Sequence, residues 1–156
     1  MAEQQIDPLN GRNFIVEING ITQAGFSEVS SLGSSIQIIE YREGNDKTQS
    51  NQKLPGRVDY PNIVLKWGVT NNDELLKWHL ELIKGDIKRK NMRIVLMDAS
   101  GTPRKAWKIR EAWPAKWTGP VLNAESNDVA IETLEIAHEG IELDDVSMGK
   151  QVVGEK

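Results

Sequence analysis

Residues 12–19 alternate, with Phe14, Val16 and Ile18 on one side and Ile15 and Glu17 on the other, before the turn dipeptide Asn19-Gly20. This spacing predicts a strand entering a hairpin. A second extended stretch, Ser35 to Tyr41, sets Ile36 and Ile38 against Gln37, Ile39 and Tyr41, so both of its faces carry apolar groups. The next twelve residues, Arg42 to Lys53, contain no apolar side chain and lead into Leu54-Pro55-Gly56, which reads as turn punctuation. A strand follows over Val58 to Val69, with Ile63, Leu65 and Trp67 on one face and Val64 and Lys66 on the other, and Pro61 marks an unpaired or edge position near its start. Asp73 to Lys84 is the convincing helix: Asn71, Asn72 or Asp73 can cap its start and Gly85 can close its end. Its leucines, Ile83 and Trp78 or His79 cover much of the circumference, which predicts close packing against a sheet.

Alternation resumes at Asn91 to Met97, turns at Asp98-Ala99-Ser100-Gly101 and continues through Arg104 to Trp113, a second hairpin. A last strand spans Asp128 to His138, with Ala130, Glu132, Leu134, Ile136 and His138 on one face. The expected fold is therefore mainly β, a sandwich or barrel of six or seven strands with one flanking helix. Residues 1–145 form a single domain and 146–156 a polar, fraying tail. Several strands are apolar on both faces, more than one small sandwich can hide in its own interior, so neighbouring copies are expected to cover the excess.

Composition narrows the function. At 156 residues, one domain can bury about 70% of the surface its unfolded chain exposes. A net charge of −4 argues against stable nucleic-acid binding, which needs a Lys/Arg excess. The basic run Lys84 to Arg93 has no aromatic platform for stacking bases and reads as a solvated turn. Without cysteine there is no disulfide, thiolate metal site or cysteine nucleophile, which suits assembly in the bacterial cytoplasm. The polar, acidic start MAEQQIDPLNGRN reads as neither signal peptide nor membrane span.

Chemistry is sparse. The two histidines, His79 in the helix and His138 at a strand end, lack the neighbours of a catalytic triad and read as structural. His138-Glu139 and Asp144-Asp145 have no loop to converge them on a metal, and no phosphate-cradling glycine motif exists, so neither cofactor nor metal is expected. Trp107, Trp113 and Trp117 fall close together and offer the alternative of a ligand-binding β-barrel, against the plainer reading of a packed corner between sheets.

The order and spacing of several stretches resemble the tube proteins of contractile phage tails and contractile injection systems. These stretches are Asp7-Pro8-Leu9, Phe14 to Gly20, Ala24 to Val29, Tyr41-Arg42-Glu43-Gly44-Asn45, Lys53-Leu54-Pro55-Gly56, Ile63 to Lys66, Lys116 to Pro120, Leu122-Asn123-Ala124 and Val129 to Glu135. Lys66-Trp67-Gly68-Val69 departs from the pattern, with Trp67 where an arginine is more usual. The wording around Tyr41 and Leu54 favours the phage-like branch over the tube proteins of type VI secretion.

The resemblance implies hexameric rings of this chain, stacked into a tube whose lumen is a β-barrel shared by all subunits. It also implies a contractile sheath protein, baseplate and tube-terminating proteins as partners, and a cargo effector or genome inside. Tyr41 to Gly56 would be the extension reaching the adjacent ring, and the helix would lie outside. The stacking interface would then comprise Tyr41, Arg42, Glu43, Gly44, Asn45, Asp46, Lys47, Lys53, Leu54, Pro55 and Gly56. Its charges are of mixed sign, which suits register-setting, salt-sensitive contacts.

Overall fold

The computed structural model of the protein describes residues 8–23, 25–42, 44 and 52–146. Among them the chain runs β1 (Phe14–Ile18), β2 (Ile21–Gln23), β3 (Phe26–Ser30), β4 (Ser35–Tyr41), β5 (Gln52–Asp59), β6 (Ile63–Gly68), α1 (Glu74–Ile83), β7 (Lys90–Met97), β8 (Pro103–Thr118), β9 (Ile131–Ala137) and β10 (Gly140–Asp144). The fold is mainly β with one helix, as expected, but ten strands replace the expected six or seven. β3 escaped notice because a bulge between Phe26 and Glu28 breaks its alternation. The expected strand over 58–69 is two strands, since Pro61 has no amide hydrogen to give a ladder. Leu54-Pro55-Gly56 is not a turn but the middle of β5, where Pro55 faces Ile38 beside a register shift. Residues 147–156 of the expected tail lie outside the described residues.

The long strand β8 organises the body. Its first part pairs with β7 on one side and with β10 on the other, whereas Trp113 to Thr118 pair with β9. Glu111, with φ of 54°, sits at the changeover in the left-handed region and lets the strand pass from one layer to the other. All strands but β4 and β5 join in one antiparallel sheet of order β2-β1-β7-β8-β9-β6-β3, with β10 beside β8. It folds over a single core, to which β1, β7 and β8 bring Val16, Ile18, Met92, Ile94 and Ile109, and β6 and β9 bring Ile63, Leu65, Leu134 and Ile136. Alternation explains the selection: in β6 the residues 63, 65 and 67 are buried and their neighbours are not.

Asn72 accepts the first helical N–H, that of Glu74, at 3.1 Å, and Gly85 follows the helix with φ of 98°. The expectation of broad helix burial needs correction. Within α1 only Trp78 is fully buried, with Leu75 packed beside the core, while Leu80 and Ile83 stand exposed. The Trp78 indole N–H donates to the Lys88 carbonyl at 2.8 Å and the Lys90 ammonium lies 4.7 Å from its ring centroid. After β7 the chain turns at Asp98, whose carboxyl is held well below the usual carboxylate range by the Ser100 hydroxyl, the Thr102 amide and Arg104.

Among the described residues one acidic side chain is buried. Glu132, 6% exposed, accepts the Trp67 indole N–H on Oε2 and the Trp117 indole N–H on Oε1, both at 3.0 Å. Trp67, the departure from the family pattern, is thus a core residue rather than a surface one. Glu132→Gln is nearly isosteric, yet its amide NH2 must face one of the two indole donors. It is expected to lose about 1–3 kcal/mol of stability, the price of a buried donor without an acceptor, read as a lower urea midpoint at unchanged slope; an unchanged midpoint would show the two bonds to be unimportant.

Candidate assembly interface

β4 and β5 pair only with each other, as a separate two-stranded ribbon. Their register sets Ser35 opposite Asp59, Ile36 opposite Val58, Ile39 opposite Leu54, Glu40 opposite Lys53 and Tyr41 opposite Gln52. Every residue of β4 is exposed, and every residue of β5 except half-buried Gly56. Six of these exposed positions are large and apolar: Ile36, Ile38, Ile39, Tyr41, Leu54 and Val58, between 45% and 62% exposed. They occupy both faces because Ile38 and Ile39 are consecutive.

Gly56 has a local task. A Cβ there would lie 2.9 Å from two carbons of Ile39 and 3.1 Å from the Gln37 carbonyl, so the Ile39 side chain can lie across the partner strand only over a glycine. Glu40 and Lys53 face each other with opposite charge toward the far end of the ribbon.

Of the interface residues expected from sequence, the structure places Tyr41, Lys53, Leu54, Pro55 and Gly56 together on this ribbon, with Arg42 and Gly44 just beyond β4. Glu43, Asn45, Asp46 and Lys47 lie outside the described residues. The ribbon also includes Ser35 to Glu40 and Arg57 to Asp59, which the interface expected from sequence leaves out. Its signal was available, since Ser35 to Tyr41 already reads as apolar on both faces.

A second exposed apolar group lies on the 119–130 segment: Val121 at 89%, Leu122 at 83% and Val129 at 74% exposed. These three border a groove of about 1080 Å³ that also takes in Ser27, Lys66 and Asp128. None of Trp107, Trp113 and Trp117 lines it. Each of the three instead packs against the core, which corrects the alternative of a tryptophan-lined ligand site. The histidines make structural bonds: His79 Nδ1 donates to the Pro114 carbonyl at 3.0 Å, and His138 Nε2 to the Pro61 carbonyl at 3.2 Å. Among the described residues no three His, Asp or Glu side chains converge on one point, and no helix is long and apolar enough to cross a membrane.

A ribbon that pairs with no strand of the body and bears apolar groups on both faces is surface that another chain could cover. The family model for the T4-like virus tail tube protein gp19 matches residues 10–142. The chain belongs to the T4-like virus tail tube protein family. Solved structures agree. A chain in the PVC sheath/tube terminator of an extracellular contractile injection system is 28% identical, with a TM-score of 0.81 over 90% of this chain and 99% of that one. A chain of the PVC sheath-tube complex in the extended state is 29% identical, with a TM-score of 0.79 over 88% of this chain and 91% of that one. A chain of the anti-feeding prophage baseplate is 25% identical, with a TM-score of 0.77 over 91% and 99%. Hcp1 from Flavobacterium johnsoniae, 17% identical with a TM-score of 0.52 over 83% and 93%, shares the fold. No curated protein sequence matches the chain significantly. The tail tube fold explains why a β-body with a well-filled core carries so much uncovered apolar strand.

Proposed function

We propose that this tail tube protein is a structural, non-catalytic subunit whose copies close into hexameric rings, and that the rings stack through the β4–β5 ribbon into the inner tube of a contractile particle. The observation that carries this reading is the ribbon. A two-stranded hairpin alone is marginal in water, and one with bare apolar groups on both faces gains stability when another subunit covers them. At about 3.4 Å per residue, the seven residues of β4 reach roughly 24 Å, far enough to leave one subunit and lie against another. The second apolar group, at Val121, Leu122 and Val129, is a different surface. Two unlike surfaces on one chain suit head-to-tail contacts, which close into rings or propagate as a filament.

A contractile sheath would surround such a tube, baseplate and tube-terminating proteins would meet its two ends, and a cargo effector or genome would pass through its bore. The neighbours in sheath-tube, baseplate and terminator complexes support the sheath, baseplate and terminator as partners. Assembly would take place in the bacterial cytoplasm, within a phage-tail-like particle. Electron microscopy of the purified protein tests the reading. Six-fold rings or tubes are expected at micromolar concentration, and a uniform population of monomers or compact dimers overturns it.

A further inference from the structure

The ribbon is not an independent hairpin. β3 pairs antiparallel with β6 and β4 with β5, so the chain from Phe26 to Gly68 is one long hairpin with an elbow in it. Ser30 pairs with Val64 in the body and Ser35 with Asp59 in the ribbon, so four residues on each arm, 31–34 and 60–63, separate the last body pair from the first ribbon pair. Two backbone features break the ladder there: Ser31 has φ of 67°, in the left-handed region, and Pro61 has no N–H. Such a joint is free to take many angles unless something outside the hairpin holds it.

That something is supplied by β9. Ile63 pairs with Ile136, so continuing the same antiparallel register by two residues sets His138 opposite Pro61, at the point where the proline ends the backbone ladder. The imidazole takes over there, Nε2–H donating to the Pro61 carbonyl at 3.2 Å. A carbonyl only accepts, so the ring carries a proton on Nε2. The other ring nitrogen, Nδ1, is buried and meets no partner among the described residues. The ring also lies 5.5 Å from that of Tyr60, tilted at 48°, which holds the residue just before the proline. From the opposite arm, Gly33 closes on the same proline: a Cβ there would be 3.8 Å from Pro61 Cγ, and Leu32 packs against the core.

We propose that His138 is the positioning residue of the elbow, setting the angle at which the β4–β5 ribbon leaves the body through its bond to Pro61 and its ring contact with Tyr60. The consequence for assembly rests on the ribbon being the arm between subunits, whereas the pinning itself does not. An arm held at one angle is already arranged for its neighbour, while a swinging arm must be ordered during docking at the expense of affinity.

The chain has no native cysteine, so spin labels at Lys53→Cys on the ribbon and Lys105→Cys on β8 report the angle as a distance distribution in dilute, unassembled subunits. His138→Phe keeps a ring beside Tyr60 and removes the donor; His138→Gln keeps a side-chain N–H. The distribution is expected to broaden in His138→Phe and to stay close to wild type in His138→Gln. In the unlabelled proteins the concentration needed for tube growth should rise roughly tenfold for His138→Phe, the ratio that one lost hydrogen bond can produce, and recover for His138→Gln. A distribution in His138→Phe as narrow as in wild type overturns the proposal. A broadened distribution with unaltered tube growth leaves the pin standing and removes the ribbon from the interface instead.

Discussion

Ile38→Asp is expected to leave the subunit folded and to abolish tubes. In the isolated chain Ile38 is 62% exposed and belongs to a ribbon that pairs with no other strand. Substitutions at such positions ordinarily move stability by no more than about 0.5 kcal/mol. Inside an interface the same side chain counts differently. Burying an isoleucine fully contributes about 1.5–3 kcal/mol, and aspartate both forfeits this and brings an unpaired carboxylate that resists leaving water. A loss of at least about 3 kcal/mol per contact corresponds to more than about a hundredfold in affinity. The measurement pairs thermal unfolding, expected within a degree or two of wild type, with electron microscopy, expected to show no tubes. Ile38→Val, which keeps most of the apolar area, should still assemble. Tubes of normal length from Ile38→Asp would show that this face of the ribbon stays in solvent throughout, and the assembly reading would fall with it.

The second large effect lies in the body. Trp78→Ala is expected to destabilise the subunit by about 3–5 kcal/mol, or a fall in unfolding temperature of roughly 6–20 °C for a domain of this size. The side chain is 3% exposed and belongs to the buried cluster, and its indole N–H holds the Lys88 carbonyl in the segment that leads from the helix into β7. Since Leu80 and Ile83 face outward, Trp78 is the principal anchor by which the helix is held to the sheet. Leu80→Ala and Ile83→Ala should therefore move stability far less. Equal losses at all three positions would mean that the helix buries a broader face than the structure shows.

The contrast between these residues shows what was legible in advance. Phe14, Val16 and Ile18, or Ile63, Leu65 and Trp67, declare a buried strand face because the side-chain period of a strand is two and the core takes every second residue. The same rule, applied to Ser35 to Tyr41, reveals apolar groups on both sides and hence a surface in need of a partner. Composition argued against stable nucleic-acid binding and left no cysteine for chemistry, and the ordered stretches from Asp7 to Glu135 carried the family resemblance. All of these are properties of local order along the chain, which is why one sequence suffices for them.

Which strands pair, and where pairing stops, depends on residues far apart in the chain. Leu54-Pro55-Gly56 carries the residue types of a turn, yet a bulge opposite Gln37 and a glycine beneath Ile39 keep it in the middle of a strand. Glu132 reads as one more polar position in an alternating strand until Trp67 and Trp117, 65 and 15 residues away, bring their indole donors to its two oxygens. His138 has no recognisable neighbour in sequence, and its bond to Pro61 spans 77 residues. The helix shows the same limit, because its leucines mark an apolar circumference but not which part of it meets β8. Local spacing determined many of the elements and the apolar faces, and the matching stretches carried the family resemblance; the partners of those faces, the elbow and the buried carboxylate were decided only by tertiary structure, since a contact across the fold depends on the register between strands and not on the spacing within either one.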